Sequence, residues 1–313
     1  MSSGGAERPD RATALAPACI GNLGTGFDLL GHAIEGPGDR VTAIRTRQPG
    51  VTIIDIRNAQ EKLPTDADAN TAGRAAVSLL QSQDTDFGVE LIIDKGIPVS
   101  AGLGGSAASA VAAVVAVNAL LPEPAELHEL YRAAMMGESA ATDSLQGDNV
   151  GPQLTGGLAL GTRSRLVPMN APEWLHAAVV HPDCRLDTRA ARKVLDREFP
   201  MDLITRQQAG LALLINGCLN NNESHIAEGL NDVLVEPLRA PLVPGFAEVQ
   251  RAATDSGALG ATLSGAGPSV FAWCRGQDSA HRAGQAMADA FARHGLEACV
   301  YLSPVNTRGA RIV

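Results

Sequence analysis

The stretch from Pro98 to Leu121 limits what this chain can fold into more than any other part of the sequence. Three glycines between positions 102 and 105 come directly before Ser106 and an alanine-rich apolar run that ends at Pro122. Glycine reaches backbone conformations that are closed to other residues, so such a loop can turn successive N–H groups toward one point. Serine followed by alanines is typical of a helix start, where unpaired N–H groups and the helix dipole attract anions. The pattern therefore predicts a phosphate site between a loop and the first turn of a helix.

A tight turn that only caps a buried helix is the simpler interpretation of the same residues, and the loop alone leaves it open. Two better-known phosphate loops do not fit. The lysine-bearing loop needs a lysine directly after a glycine, which none of Lys62, Lys95 and Lys193 satisfies. The dinucleotide-binding fingerprint needs a third glycine where Ala107 stands.

The size and charge of the chain argue against several other classes of protein. Its 313 residues are enough for two domains or one large domain. A net charge of −9 argues against nucleic acid or an anionic membrane as the main partner. The five cysteines have no Cys-x-x-Cys spacing, which indicates neither a disulfide framework nor a zinc site and fits a reducing compartment. The apolar run over 107–121 is too short to span a bilayer, so we expect a soluble, cytoplasmic protein with a loose tail at 1–11.

Apolar periodicity and turn residues predict helices and strands on both sides of one polar stretch, 163–172. In the first part, strands are predicted at 13–20, 39–45, 51–56, 89–94 and 156–162, and helices at 71–80, 107–121 and 125–137. In the second part, strands are predicted at 177–181, 260–263, 270–274 and 298–302, and helices at 186–192, 203–219, 224–230 and 278–293. We therefore expect one domain over 12–165 and a second over 173–313.

Two further glycine-rich turns follow predicted strands. The first runs from Gly21 to Asp28, and the short polar groups of Asn22 and Asp28 can hold the amine or hydroxyl of a substrate or can simply cap the turn. The second runs from Ser264 to Ser269 around Gly265, where it can be an ordinary hairpin or part of a binding site.

These motifs together resemble those of a family of small-molecule kinases. The pattern Pro-x-x-x-Gly-Leu-Gly-x-Ser-Ala-Ala, which starts at Pro98, resembles the phosphate loop of the GHMP kinases, which include galactokinase, homoserine kinase, mevalonate kinase and phosphomevalonate kinase. The segment from Pro17 to Asp28 resembles the N-terminal motif of the homoserine kinases, and Ser264 to Pro268 resembles the family's third motif. The resemblance implies an α+β, two-domain fold with a mixed-sheet N-terminal domain, a ferredoxin-like C-terminal domain and an active site between them.

The resemblance also implies ATP and Mg²⁺ as cofactors. Asn70 would lie near the adenine, although an asparagine in this place can also be a plain helix cap. Gly105 stands where the family usually has a serine, which removes one hydroxyl, whereas Ser106 is retained. The implied cofactor-binding residues are Asn70, Pro98, Ser100, Gly102, Leu103, Gly104, Gly105, Ser106, Ala107 and Ala108.

Glu138 is the candidate metal ligand, together with Ser106. Phosphoryl transfer depends on holding Mg²⁺ against the phosphates, and a carboxylate plus a hydroxyl can do so while water fills the other positions. A single glutamate in a helix is otherwise typical of a solvated surface. The resemblance favours the metal role, because the family carries a glutamate ligand in this segment.

Asp148 and Asn149 begin an Asp-Asn-Val signature that resembles the homoserine kinases. Mevalonate kinases and galactokinases carry an aspartate near this place that can take the proton of the attacking hydroxyl. Asn149 cannot accept that proton, which predicts catalysis by alignment and charge neutralisation, with the proton leaving to phosphate or water. A role of Asp148 as the base stays open.

The resemblance assigns the remaining residues to an amino-acid substrate. Thr188 and Arg192 stand at i and i+4 of a predicted helix, and Arg192 is the candidate rather than Arg189. Arg239 can form a planar bidentate pair with a carboxylate. The implied substrate-binding residues are Asn22, Asp28, Asp148, Asn149, Thr188, Arg192, Arg239 and Gly265, and the implied catalytic residues are Ser106, Glu138, Asn149 and Arg192.

The expected reaction is transfer of the γ-phosphate of ATP to the side-chain hydroxyl of L-homoserine, a step toward threonine. Two alternatives stay open: a kinase of the same fold that acts on another small alcohol such as mevalonate, and a binding protein that kept the fold and lost the reaction. Gly105 would be the first sign of such a loss. A homodimer is compatible with the motifs, which do not require one.

Overall fold

The computed structural model describes residues 9–141, 145–186 and 188–313, with only the backbone of 188 and 189. The strands are β1 (Arg11–Gly21), β2 (Leu30–Thr46), β3 (Gly50–Arg57), β4 (Gly88–Asp94), β5 (Leu158–Gly161), β6 (Leu166–Met169), β7 (Leu175–Pro182), β8 (Ala258–Leu263), β9 (Val270–Arg275), β10 (Ala298–Pro304) and β11 (Arg311–Ile312). The helices are α1 (Thr71–Ser82), α2 (Gly105–Asn118), α3 (Leu127–Glu138), α4 (Gly147–Thr155), α5 (Thr188–Lys193), α6 (Met201–Asn220), α7 (Glu223–Gly229), α8 (Glu236–Arg239), α9 (Phe246–Asp255) and α10 (Gln277–Arg293). In these ranges no helix is long and apolar enough to cross a membrane.

The first sheet supports the glycine-rich loop. Its strands lie in the order β11-β1-β2-β4-β3, with β5 beside β2 and β6 beside β5, and every pairing is antiparallel except that of β3 with β4. Helix α2 packs against β1, β2, α1 and α3. Most of its residues are alanine or valine, so it is apolar on every face, as is typical of a helix that is buried on all sides. This packing fixes the helix that follows the loop.

The second sheet is antiparallel, in the order β10-β7-β9-β8. Its elements follow a β-α-β-β-α-β pattern with several helices in the first crossover, which confirms the expected ferredoxin-like domain. One face packs against α9 and α10 through residues such as Val180 and Phe291. The other face, with Val179, Phe271 and Trp273, joins the core beneath the first sheet. Because the two sheets share close-packed apolar residues, their loops are held in a fixed relation to each other.

The strand pairing differs from the order of the predicted strands. The strands at 39–45 and 51–56, on either side of the turn at 49–50, do not pair with each other, because β4 lies between β2 and β3 and runs parallel to β3. The polar stretch 163–172 contains β6, which pairs with β5. Strand β11 pairs with β1 in the first sheet. The domain limits at 12–165 and 173–313 stay a prediction.

Asn70 is the N-cap of α1. Its Oδ1 accepts hydrogen bonds from the N–H groups of Ala72 and Gly73, at 3.0 and 3.4 Å, and its Nδ2 donates to the carbonyl oxygen of Pro64 at 2.9 Å. The helix-cap interpretation is therefore confirmed. A contact with adenine stays a prediction.

The variant Asn70→Ala should lower the free energy of unfolding by about 1 kcal/mol, because two first-turn N–H groups lose their acceptor. Asn222→Ala is a matched control, since Asn222 caps α7 in the same way through the N–H of His225. Chemical unfolding of both variants measures this cost. KM for ATP then separates the two roles of Asn70: a rise in Asn70→Ala that Asn222→Ala lacks would indicate the adenine contact, and equal values would leave only the cap.

Candidate active site

The glycine-rich loop leads from β4 to the N-terminus of α2. Gly104 is the N-cap of α2 with a φ of 68°, and Gly102 has a φ of 73°, both in the left-handed region that favours glycine. A side chain at Gly102 would place its Cβ 2.5 Å from the carbonyl oxygen of Ser264 and 2.7 Å from that of Gly267. The loop therefore needs glycine both for its own turn and for its close approach to the third glycine-rich turn.

The loop is accessible at the point where a phosphate would lie. Residues 104–106 are partly exposed and Ser100 is exposed, whereas Leu103, Ala107 and Ala108 are buried. The three buried residues can therefore meet a nucleotide only through their backbone. Unpaired N–H groups and the dipole at the start of α2 give this position the positive potential that an anion site requires.

The three glycine-rich turns meet in space. The Ser264 hydroxyl donates to the carbonyl oxygen of Gly102, and the Ser269 hydroxyl donates to that of Ala101, both at 2.6 Å. The N–H of Gly265 donates to the carbonyl oxygen of Gly21 at 3.1 Å. The third turn is thus more than a hairpin between β8 and β9, because it ties the phosphate loop to the first turn.

A buried ion pair supports the loop from below. The Lys95 ammonium group pairs with Asp39 and donates to the carbonyl oxygen of Gly105 and the Oγ of Ser109, each at 2.8 Å. The Ser109 hydroxyl donates to Asp39 at 2.6 Å, and Asp39 also accepts from the N–H groups at 96 and 97. This network joins the end of β4 to the first turn of α2. Sequence reasoning missed it, and the available signal was the position of Lys95 directly before the loop.

Gly105, the departure from the family serine, is not forced by packing. A Cβ there would lie 3.3 Å from Cγ2 of Ile97 and 3.6 Å from its Cβ. This contact is tight, but a small shift of one methyl group relieves it. The position could therefore accommodate the family's serine.

Ser106 and Glu138 lie in direct contact. The Ser106 hydroxyl, at the start of α2, donates to Oε1 of Glu138, at the end of α3, with a distance of 2.8 Å. Burial raises the pKa of Glu138 to about 7, while the Ser106 hydrogen bond and the charge of Lys95 act in the opposite direction. A hydroxyl and a carboxylate are hard oxygen donors of the type that Mg²⁺ prefers. The pair therefore fits the metal implied by the resemblance.

Asp148 and Asn149 lie in the first turn of α4, a helix that the sequence reading did not predict. Burial raises the pKa of Asp148 to about 7, and the nearby charges of Asp28 and Glu138 act in the same direction. The Asn149 Oδ1 accepts a hydrogen bond from the Sγ of Cys19 at 3.0 Å, and its Nδ2 donates to Oδ1 of Asp148 at 3.4 Å. Asn149 is thus held on both sides, and Cys19 is a positioning contact that sequence reasoning missed.

The raised pKa of Asp148 makes the stability of the protein depend on pH. The folded pKa of about 7 exceeds the value of about 4 in an unfolded chain, so the folded state binds this proton more tightly. The resulting stabilisation is fully present below about pH 4 and is lost as the pH rises through about 7. Asp148→Asn removes this loss, so the free energy of unfolding of the variant, compared with that of wild type, should be higher by about 4 kcal/mol more at pH 8 than at pH 4. Urea unfolding at both pH values measures the difference, and a value that does not change with pH would contradict this account.

Asp28 and Arg192 form a bidentate ion pair across the site. Arg192, on α5, donates from Nη1 and Nη2 to the two carboxylate oxygens of Asp28, at 3.1 and 2.8 Å. Nε2 of Gln146 also donates to Asp28, at 3.0 Å. Two residues that the sequence assigns separately to a substrate therefore hold each other here.

Arg239 is buried at the end of α8, with 4% of its surface exposed. Its Nε donates to the carbonyl oxygen of Ala191 at 3.0 Å, and its Nη1 donates to that of Gly265 at 3.2 Å. Among the described residues, Nη2 has no hydrogen-bond acceptor. Burial lowers the pKa of Arg239, with the positive charge of Arg192 acting the same way and the negative charge of Asp28 opposing it. The guanidinium is thus fixed in place, and within the part of the chain that the structure describes its Nη2 is left for an anionic partner.

Asn22 uses both ends of its side chain within the protein. Its Oδ1 accepts from the N–H of Asp28 at 3.0 Å, and its Nδ2 donates to the carbonyl oxygen of Gly265 at 2.8 Å. The turn-cap interpretation of Asn22 is therefore confirmed, and a direct substrate contact stays a prediction. The side chain of Thr188 lies outside the described residues, so its predicted role also stays a prediction.

A cavity of about 400 Å³ opens beside the Asp28–Arg192 pair, large enough for a small amino acid. Its other lining residues are Leu29, Leu145, Gln146, Thr162, Arg163 and Ser164. Of the implied substrate-binding residues, Asp28 and Arg192 line this cavity, whereas Asn22, Arg239 and Gly265 line a separate, much smaller pocket.

Two family models match this chain. Residues 70–157 match the N-terminal domain of the GHMP kinases, and residues 211–293 match the C-terminal domain of the same kinases. The first match contains the phosphate loop, Ser106, Glu138 and the Asp148–Asn149 segment. The second contains Arg239 and the third glycine-rich turn.

Relatives of similar length match this chain over almost its whole length. The chain is 46% identical to the homoserine kinase of Xylella fastidiosa (strain M12) over 97% of its own length and 94% of the relative's. It is 47% identical to the homoserine kinase of Xanthomonas campestris pv. campestris (strain B100), over 96% and 94% of the two chains. Its structure resembles the crystal structure of homoserine kinase from Cytophaga hutchinsonii ATCC 33406 with a TM-score of 0.94 and 37% identity, covering 98% of this chain and 99% of that one.

Proposed function

The chain belongs to the homoserine kinases of the GHMP kinase family, and we propose that it transfers the γ-phosphate of ATP to the side-chain hydroxyl of L-homoserine. The product is O-phospho-L-homoserine, on the route to threonine. One observation supports the proposal beyond the family: the third glycine-rich turn links the loop before α2, next to the Ser106–Glu138 pair, to Arg239, whose charge is coupled to those of Arg192 and Asp28.

ATP would place its phosphates against the loop from Pro98 to Ala108. Unpaired N–H groups at the start of α2 would donate to the phosphate oxygens, as at other helix N-termini that bind anions. The Lys95–Asp39 pair keeps these groups in place, because Lys95 holds the Gly105 carbonyl oxygen. The loop is thus organised before the nucleotide arrives, which lowers the entropy cost of binding.

Ser106 and Glu138 would hold Mg²⁺. When bound, the ion neutralises negative charge on the β- and γ-phosphates during transfer. Two protein oxygens, with phosphate oxygens and water for the other positions, are a typical Mg²⁺ shell. Glu138 is anchored at the end of α3 and Ser106 at the start of α2, so the packing of these two helices sets their separation.

L-Homoserine would be oriented by its two charged groups. Arg239, through its remaining nitrogen, and Arg192 would receive the α-carboxylate, and Asp28 would receive the ammonium group. Binding then exchanges the internal Asp28–Arg192 pair for two pairs with the substrate. Mevalonate carries a carboxylate but no ammonium group and would leave Asp28 without a cation, which favours the amino acid.

The hydroxyl would be aligned next to Asn149. The Cys19 thiol and Asp148 fix the Asn149 amide, which can accept a hydrogen bond but cannot take a proton. Alignment and charge neutralisation are sufficient for a loose phosphoryl-transfer transition state, in which the proton can leave late to phosphate or water. The chain therefore needs no strong base at this position.

The variant Asp148→Asn should accordingly lower kcat by no more than about tenfold, since alignment by Asn149 and the α2 N-terminus is retained. Steady-state rates between pH 6 and pH 9, about the range over which a base of pKa near 7 would titrate, measure this effect. A loss of several orders of magnitude at unchanged KM for both substrates would instead make Asp148 the general base.

A phosphorylation assay with Mg-ATP, with L-homoserine set against mevalonate, tests the proposed function as a whole. The expected product is O-phospho-L-homoserine, with little or no phosphorylation of mevalonate. Phosphorylation of mevalonate alone would support the small-alcohol alternative, which the relatives do not favour. Binding of both ATP and L-homoserine without product at any Mg²⁺ concentration would support the binding-protein alternative.

A further inference from the structure

Phe27 lies between Gly26 and Asp28 in the first glycine-rich turn. Its ring is partly buried. The guanidinium carbon of Arg192 lies 5.3 Å from the ring centroid, and that of Arg239 lies 5.2 Å from it. Both distances are within the range of a cation–π interaction. One ring therefore contacts both of the arginines that are proposed to receive the substrate's carboxylate.

Two guanidinium groups so close together repel each other. Burial is the main cause of the lowered pKa of Arg239; the negative charge of Asp28 opposes it, and the positive charge of Arg192 adds to it. An aromatic ring carries partial negative charge on its faces and attracts cations there. Phe27 thus offsets part of the repulsion without adding a carboxylate, which would compete with an anionic substrate for the same hydrogen bonds.

The other contacts of the two arginines differ in what happens to them when a substrate binds. Arg239 is held by two backbone carbonyl oxygens that no substrate needs to displace. Arg192 is held by Asp28, the group that would release it to receive an ammonium ion. Once Asp28 turns to the substrate, the Phe27 ring is a contact that still fixes Arg192 relative to Arg239.

We propose that Phe27 is a positioning residue whose ring holds Arg192 and Arg239 in the arrangement that receives the α-carboxylate of an amino-acid substrate. This inference rests on the proposed function, which assigns the two arginines to that carboxylate. It adds a determinant of specificity, since substrates without a carboxylate gain nothing from the ring. An apolar side chain that only fills space in the turn would affect substrates with and without a carboxylate equally.

The variants Phe27→Leu and Phe27→Tyr separate the two roles, because leucine keeps an apolar side chain and tyrosine keeps the aromatic face. Phe27→Leu should raise KM for L-homoserine by about tenfold, with kcat and KM for ATP within about twofold of wild type. Phe27→Tyr should remain close to wild type. The distant pair of Phe87 and Arg45, whose guanidinium carbon lies 3.9 Å from the ring centroid, gives the control variant Phe87→Leu, which should leave KM for L-homoserine unchanged.

A substrate analogue gives the second readout. The compound 3-aminopropan-1-ol keeps the amine and hydroxyl of homoserine but lacks the carboxylate, so its inhibition constant against L-homoserine should be the same in wild type and Phe27→Leu. A wild-type KM for L-homoserine in Phe27→Leu would overturn the proposal. Equal losses for L-homoserine and the analogue, or equal losses in the leucine and tyrosine variants, would also overturn it, since both point to packing alone.

Two further measurements keep the outcome clear. If Phe27→Leu does not fold, as judged by its thermal unfolding, Phe27→Met replaces it as a longer apolar side chain without an aromatic face. Calorimetric binding of L-homoserine to wild type and variant measures the effect of the ring without turnover. A wild-type protein that binds L-homoserine but does not phosphorylate it would refute the proposed function, whereas equal binding by Phe27→Leu would refute the role of Phe27.

Discussion

Changing Glu138 to glutamine should lower kcat by about a thousandfold, because the variant loses the carboxylate that is proposed to hold Mg²⁺ beside the phosphates. Glutamine retains the size of the side chain and can still accept the hydrogen bond from Ser106. The raised pKa of Glu138, about 7, leaves the carboxyl partly protonated near neutral pH, and a bound cation favours its charged form. Initial rates over a series of Mg²⁺ concentrations measure both the loss of kcat and a shift of the magnesium dependence to higher concentrations.

The same substitution on the same helix provides the control. Glu129 lies in the first turn of α3, at the opposite end from Glu138, where it takes part in a capping box. Glu129→Gln should keep kcat within about twofold of wild type, since it alters only the start of the helix. Equal rates in wild type and Glu138→Gln at low Mg²⁺ would remove Glu138 from the metal site.

Arg239→Ala should lower kcat/KM for L-homoserine by at least about tenfold, as expected for the loss of one charge-assisted hydrogen bond to a carboxylate. The effect should appear mainly in KM for L-homoserine, because Arg239 is proposed to bind the α-carboxylate, which does not react. KM for ATP should stay unchanged. Steady-state kinetics with each substrate varied in turn measure this separation.

Arg275→Ala is the matched control for this prediction. Arg275 also combines a charged hydrogen bond, to Glu223 at 2.9 Å, with a ring contact, 4.9 Å from the centroid of Trp174, but it belongs to β9 and does not line the site. Its loss should leave both KM values as they are. A normal kcat/KM in a folded Arg239→Ala protein would exclude Arg239 from substrate binding.

The sequence predicts the parts of the site that depend on local chemistry. The Gly-Leu-Gly pattern predicts a left-handed turn before a helix, and Gly102 and Gly104 adopt it. The resemblance pairs Ser106 with Glu138, which are far apart along the chain, and the structure brings them within 2.8 Å. Most predicted helices and strands also form, since their apolar periodicity is strong.

The parts that could not be predicted depend on contacts between distant segments. The pairing of β4 with both β2 and β3 depends on contacts between strands that are distant in sequence, and no turn residue predicts it. In the sequence, Lys95 and Asp39 look like ordinary charged residues. Only the structure shows that they are buried as a pair beneath the loop. The same holds for the two internal hydrogen bonds of Asn22, which support the turn-cap interpretation that the sequence left open.

The hydroxyl groups of Ser264 and Ser269 make the nucleotide loop a joint product of both halves of the chain. The carbonyl groups at 101 and 102 would lose these donors in any fragment limited to the first sheet. Replacing the second half of the chain with that of another kinase would therefore change the support of the nucleotide loop as well as the substrate pocket. A working chimera must inherit a hydroxyl at each of these two positions, or the recombined enzyme would bind its nucleotide poorly even with every catalytic group intact.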